Sequence, residues 1–429
     1  MTTHPSAGTI DWGRSVAELL NEDGDFRSAA AGWDDCFGIG TETAVAYFRI
    51  YRGTVIDVTR RPIGRPAFVT RAAAETWQRL LSDPTDGYFI EAMRGSFRTE
   101  GDGYEYVRLA KVLDLVIRAA QRIAGLQPLN VVEPRVPLEQ TLDSGWRAIG
   151  RYLEIDGSLG YIEEHRSGGP ELGTIIALHT AGQGGEQYRR VAPQLALLGY
   201  RVLVPDFPGH GRSEPAIDGP IADLGCYAQW CVDVLERFEV DTAYIVGCSI
   251  GGKIALDLAH RLGPRALGAI AMAASADPGR SNRATLLREL EDIGAPSRSD
   301  RTYLGTHAVV GRAVPPPTRE LIALMHRRED PQVSTSDLLG WNAHDLRPVL
   351  DEITCPVRLV GGTDDLWLDL DAVRRTAEAL PNAELTVLAG IGHYPHQELA
   401  DFADRVHDWI SAWSLAGDRD GKDIAYDRA

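Results

Sequence analysis

AYIVGCSIGGKIALDLAH, residues 243–260, passes from an apolar strand through a GxSxG turn into a helix. The turn is Gly247, Cys248, Ser249, Ile250 and Gly251, with Gly252 behind it. A serine on so tight a strand-to-helix turn projects its hydroxyl, and the crowded backbone tolerates only small neighbours. The helix N-terminus also faces any negative charge that develops there. A structural turn serine is the plain alternative, but the flanking strand and helix favour a nucleophile.

A serine hydroxyl needs a base. LAGIGHYPHQE (388–398) offers His393 between the last apolar strand and the last amphipathic helix, with His396 as rival. The spacing of His393, His396 and Glu398 lacks the HExxH arrangement of a hydrolytic zinc site, so no metal is expected. The imidazole in turn needs a carboxylate to set its tautomer. LVGGTDDLW (359–367) supplies Asp364 and Asp365, and a GxxD count from Gly362 selects Asp365; Asp364 and Asp277 stay open. An oxyanion needs backbone N–H donors. Ile250, after the serine, is one candidate, and Ala181 in the loop HTAGQGG (179–185) is the other, with Thr180 as alternative.

Around this turn, short apolar runs alternate with helices, the sign of βαβ units and a parallel sheet. Strands are expected at 174–178, 201–204, 243–246, 267–273, 357–360 and 385–388. The long connection 277–352, broken by VPPPT (314–318), reads as a helical lid. Its Trp341, Leu321, Leu324 and Met325 are candidates to line an apolar pocket, or equally the lid's own core. Upstream the texture is α+β, with a helix at 16–20, strands at 44–51 and 55–58, and helices at 72–81 and 87–94. The expected organisation is an α+β domain over 1–128, a Pro-containing linker over 129–145, an α/β domain over 146–414 and a polar tail over 415–429.

Net charge is −17 with the acidic residues scattered, which argues against nucleic acid or an anionic membrane as partner. The N-terminus lacks a basic and apolar leader pattern, and the longest apolar run is too short to span a bilayer, so a cytoplasmic location is expected. The five cysteines show no paired spacing and read as reduced core residues.

Taken in order, His179–Gly182, DxPGHGxS (206–213), GxSxGG (247–252), GxxD (362–365) and GxGH (390–393) resemble the α/β-hydrolase superfamily over about 146–413. The resemblance implies a mostly parallel eight-stranded sheet, a lid and a Ser249/His393/Asp365 triad, with no cofactor. One departure is HTAG where HGxG is usual; Thr180 narrows that corner and offers a hydroxyl to substrate. The serine separates the chain from dehalogenases and epoxide hydrolases, which use aspartate. Residues 47–103 resemble sterol-carrier-protein-2-like domains more weakly, which implies a lipidic ligand; a packing module or homodimer contact is the alternative.

The leading expectation is hydrolysis of an ester or lactone of a hydrophobic small molecule through acyl-Ser249, with Thr180 and Trp341 touching substrate. Carbon–carbon bond hydrolysis of a diketone by the same triad is the runner-up, since GCSIGG resembles the turn of meta-cleavage-product hydrolases. A hydrophobic-ligand carrier with little turnover is the third reading.

Overall fold

The computed structural model describes residues 6–82, 87–126, 145–279, 284, 286, 287 and 298–423. The linker expected at 129–145 lies outside the described residues except for Gly145, as does most of the lid's first stretch.

The N-terminal domain runs α1 (Ile10–Glu22), α2 (Gly24–Ala29), β1 (Asp34–Gly40), β2 (Val45–Tyr51), β3 (Thr54–Thr59), β4 (Phe68–Ala72), α3 (Ala74–Leu80), α4 (Tyr88–Met93), β5 (Phe97–Gly101), α5 (Gly103–Arg108) and α6 (Ala110–Ile123). Its sheet has the order β3-β2-β1-β4-β5, parallel only between β1 and β4. Helix α1 buries Trp12, Val16 and Leu20, spaced four apart on one face, against the sheet. Strand β1, the sheet's centre, was not among the expected strands. Its DDCFGIG carries two glycines, which normally weaken a strand. Here Gly38 makes room for Tyr47, whose ring would lie 2.8 Å from an added Cβ.

The second domain runs β6 (Trp146–Ile155), β7 (Ser158–Ser167), β8 (Gly173–Leu178), α7 (Val191–Leu197), β9 (Tyr200–Pro205), α8 (Leu224–Arg237), β10 (Ala243–Cys248), α9 (Ile250–Leu262) and β11 (Ala266–Met272). Then come the lid helices α10 (Arg298–Val309), α11 (Pro316–His326) and α12 (Pro331–Ala343). The chain ends with β12 (Val357–Gly362), α13 (Leu370–Ala379), β13 (Ala383–Leu388), α14 (Pro395–Glu398) and α15 (Phe402–Asp423). The eight strands lie in the order β13-β12-β11-β10-β8-β9-β7-β6. Pairing is parallel from β13 to β9, and β7 is antiparallel to both its neighbours. This is the expected α/β sheet with a smaller domain before it. The crossovers bury both faces, so the central strands are apolar throughout.

The two domains share a seam. Ala110 of α6 belongs to the apolar cluster on one face of the large sheet, and Phe89 packs against the cores of both domains. Arg94 pairs with Asp369, and Arg312 with Asp25 at 3.0 Å. Four of the five cysteines are buried and all five are free thiols. Among the described residues, no helix is long and apolar enough to cross a membrane.

Candidate active site

Ser249 follows β10 and caps α9 with φ 57° and ψ −120°, a conformation L-residues rarely hold. The strain is enforced by contact. A Cβ on Gly247 would lie 2.0 Å from the Gly251 carbonyl oxygen, and one on Gly251 would lie 2.4 Å from the Leu178 carbonyl. Only glycine fits either place, which accounts physically for the spacing of the motif.

His393 leaves the loop after β13 with its Nδ1 2.7 Å from Asp365 Oδ2. The other carboxylate oxygen of Asp365 accepts the N–H groups of Trp367 (2.9 Å) and Leu368 (3.1 Å), which fixes the group's orientation. Nδ1–H therefore donates to Asp365, and Nε2 is left as the basic nitrogen. The Cys248 thiol lies 3.1 Å from the His393 carbonyl, so the His loop abuts the serine turn. No hydrogen bond joins the Ser249 hydroxyl to His393 among the described residues; such contacts often tighten only around substrate.

The other acids and the rival base sit elsewhere. Asp364 is ion-paired with Lys111, Arg118 and Arg312. Asp277 pairs with Arg375 at 2.7 Å. His396 stacks on Tyr188 at 4.6 Å, and neither of its ring nitrogens has a hydrogen-bond partner. Glu398 accepts the backbone N–H groups of Gly311 (2.8 Å), Gly392 (2.6 Å) and Tyr394 (3.1 Å), bracing the His loop. Burial pushes its carboxyl up to about 7 against those three donors. Among the described residues, no group of three or more His, Cys, Asp or Glu side chains is arranged to hold a metal.

In the loop after β8, the Thr180 N–H donates to Gln187 Oε1 (2.9 Å) and the Gly182 N–H to Asp337 (2.8 Å). Ala181 N–H has no acceptor there, and Ile250, first in its helix, has no intrahelical acceptor. Neither N–H has an acceptor among the described residues. His179 holds the loop from below, with Nδ1 2.9 Å from the Thr180 carbonyl and Nε2 accepting the Phe207 N–H at 3.0 Å. Burial, helped by nearby His210, drives the His179 pKa down to about 3, so it stays neutral.

The structure places the residues expected to touch substrate as follows. Thr180 is buried, and its hydroxyl accepts from Gln187 Nε2 (3.0 Å), which ties the loop to Gln187. Trp341 lies at the lid's base, its ring 4.7 Å from Lys253 Nζ. There Lys253 donates to the carbonyls of Asp277 (2.6 Å), Trp341 (3.2 Å) and His344 (2.7 Å), tying both lid ends to α9. Leu324 is 44% exposed, while Met325 is buried. The tryptophan beside His393 is Trp367, edge-on to its ring at 5.1 Å. His326 of the lid also reaches this region, with its ring 4.3 Å from Tyr394 and Nε2 3.0 Å from Gln187. Neither carried a sequence signal beyond Trp367's place two residues after Asp365.

A family described as "Alpha/beta hydrolase family" matches residues 175–406. The chain is 26% identical over 282 residues to a 2-hydroxy-6-oxononadienedioate/2-hydroxy-6-oxononatrienedioate hydrolase of Dechloromonas aromatica, covering 60% of this chain and 94% of that protein. It is also 26% identical over 316 residues to an uncharacterised Mycobacterium tuberculosis protein, covering 67% of this chain and 84% of that one. Among solved structures, the enol-lactonase of Burkholderia xenovorans superposes with a TM-score of 0.54 at 20% identity, over 61% of this chain and all of that one. The 2-hydroxy-6-oxo-6-phenylhexa-2,4-dienoate hydrolase of a Rhodococcus gives 0.52 at 20%, over 63% and 99%. With a family match over more than half its length, on a sheet and serine turn of this geometry, the chain belongs to the alpha/beta hydrolase family.

Proposed function

We propose that the protein hydrolyses an ester or lactone of a hydrophobic small molecule through an acyl-Ser249 intermediate. The observation that carries this reading is the His393–Asp365 hydrogen bond of 2.7 Å beside a strained Ser249. His393 Nε2 takes the Ser249 proton as Oγ attacks the carbonyl. The oxyanion is met by the N–H groups of Ile250 and Ala181, each such donor being worth about 10²–10³ in rate. His393 then gives its proton to the departing alkoxide, and water, deprotonated by the same imidazole, releases the acid. Asp365 stays ionised throughout and stabilises the imidazolium.

Fluorophosphonate labelling followed by an aryl ester and lactone panel tests this. Ser249 should label stoichiometrically, and Ser249→Ala should lose at least about 10⁴-fold in kcat. Full activity in Ser249→Ala would refute it.

A second reading is favoured by the names of the curated relatives, several of them 2-hydroxy-6-oxononadienedioate/2-hydroxy-6-oxononatrienedioate hydrolases. The same residues would then cleave a carbon–carbon bond in a vinylogous diketone. Turnover of a diketone beside its matched ester separates the two. For the N-terminal domain, the likeness to sterol-carrier-protein-2-like domains rests on sequence alone. Its core includes closely packed rings: Phe37 lies 5.4 Å from Phe48 and 5.5 Å from Phe68, and Trp12 5.9 Å from Trp77.

A further inference from the structure

Asp364 is buried immediately before the carboxylate that bonds His393. An unpaired carboxylate there would carry a heavy desolvation cost. Three cations from two other parts of the chain meet it. Arg312, just past the end of lid helix α10, donates its backbone N–H (2.8 Å) and Nε (2.9 Å) to Oδ2 and a terminal nitrogen to Oδ1 (3.2 Å). Lys111 and Arg118 come from α6 of the N-terminal domain. Lys111 Nζ lies 3.6 Å from Oδ2 and 3.4 Å from the Asp364 carbonyl, and Arg118 lies 3.7 Å from Oδ1. Arg118 also donates to the Thr363 carbonyl. Burial alone would raise the Asp364 pKa, yet Lys111, Arg312 and Arg118 hold it well below the usual carboxylate range.

The same turn is stitched to the loop that carries His393. The Asp364 N–H donates to the Ile391 carbonyl (2.9 Å), and Thr363 Oγ1 accepts the Gly390 N–H (2.9 Å). The lid stem joins in: Val309 accepts the His393 N–H (2.9 Å), and the Ala313 N–H donates to Gly390 (2.9 Å). Asp364 thus anchors the turn that carries the acid against the loop that carries the base.

We propose that the N-terminal domain is a clamp on the triad, in which Lys111 and Arg118 act as positioning residues that hold the Thr363–Asp365 turn and, through it, the His393–Asp365 hydrogen bond. This rests on the serine-hydrolase reading for its effect on rate, though not for its geometry. Both act through Asp364, and Arg118 also through the Thr363 carbonyl. Because a misplacement of about 1 Å in catalytic groups can cost roughly 10²-fold, the clamp should appear in kcat rather than in KM.

The test uses the full chain with Lys111→Met and Arg118→Met, and Arg98→Ala as control. Arg98 is an exposed N-terminal-domain residue paired with Glu100. Proton NMR follows the far-downfield Nδ1–H resonance of His393, which reports its bond to Asp365 whether or not an ester is turned over. Steady-state kinetics on an aryl ester follow in parallel, normalised by fluorophosphonate end-point titration. In Lys111→Met the resonance should broaden or shift upfield and kcat fall roughly 10- to 100-fold, with KM within about twofold. Arg118→Met should do the same more weakly, and the control should match wild type. An unchanged resonance and kcat in both variants, whatever the melting temperature does, would overturn the clamp and leave an ordinary domain interface. So would a wild-type spectrum without the resonance. If Lys111→Met fails to fold, Arg118→Met, whose side chain is 33% exposed, decides by the same readouts. A wild type inert to fluorophosphonate would sink the hydrolytic reading instead, and the NMR arm would still judge the clamp.

Discussion

Asp337, buried on lid helix α12, accepts the Gly182 N–H at 2.8 Å, so the lid holds the loop that carries Ala181, the donor proposed above. The same carboxylate receives His210 Nε2 (2.8 Å) and the Tyr227 hydroxyl (2.9 Å). Burial alone would lower the His210 pKa, but the adjacent Asp337 raises it overall, so this is a buried ion pair. Removing one partner of such a pair costs about 3–5 kcal/mol. Asp337→Asn should therefore lower stability by that order and also lower kcat, because Gly182 loses a charged acceptor. Tyr227→Phe, which removes one neutral donor, should cost about 1 kcal/mol and leave kcat alone. Urea unfolding with parallel kinetics checks both; equal kcat in Asp337→Asn and wild type would detach the lid from the oxyanion loop.

Stability should fall on mild acidification. Burial holds His179 at about 3, His326 at about 4 and His396 at about 3, against 6.5 for a free imidazole. Below about pH 6.5 the unfolded chain takes up protons at these sites and the folded chain does not. Their stabilisation is complete above that pH and is lost as pH falls toward their folded values. Glu398, raised to about 7, works the other way between about 7 and 4.5, since the folded form binds its proton first. Three imidazoles against one carboxyl leave a net of about two protons, a slope on the order of 3 kcal/mol per pH unit near pH 5. His210, with its raised pKa, contributes most below pH 6.5 and loses that contribution as pH rises through its folded value. Denaturant midpoints from pH 7.5 to 4.5 would show the fall; a flat profile would contradict it.

Ser249 and His393 were legible because local rules carry them: strand, tight turn, helix, and a loop between strand and helix. The choice between Asp364 and Asp365 was not, since the two are chemically identical neighbours. What separates them is that Asp364 meets cations from α6, about 250 residues earlier, while Asp365 meets His393. The Asp337–His210 pair is likewise long-range, and DFPGHGRS read as mere scaffold. The β6–β7 hairpin was within reach and overlooked. Its turn is Asp156-Gly157, both at positive φ, between paired Ile155 and Ser158, the dipeptide that best marks a two-residue hairpin.

Replacing His396 by phenylalanine should stabilise the protein. Both ring nitrogens are buried without partners, while the ring itself stacks on Tyr188 and lies 6.5 Å from Phe402. A phenyl ring keeps the stacking and removes an unsatisfied polar group that costs about 1–3 kcal/mol. The acid slope should also lose about one proton. Activity should persist; a collapse of kcat in a folded His396→Phe would make His396 the base and displace His393.

Trp367 should govern preference among substrates. Its ring is 40% exposed, meets His393 edge-on at 5.1 Å, and faces Gly305 of α10, where an added Cβ would come within 3.3 Å of it. It therefore sits between lid helix α10 and His393 and keeps part of its surface exposed. Stacking of an aryl group on it is worth about 0.5–1.5 kcal/mol, so Trp367→Ala should raise KM for aryl esters roughly two- to tenfold. Short alkyl esters should change less, and kcat should fall only if the ring also shields the imidazole from water. Gly305→Val should have a similar selective effect by pushing the ring aside. If both variants alter aryl and alkyl esters equally, Trp367 packs against the base and does not read the substrate.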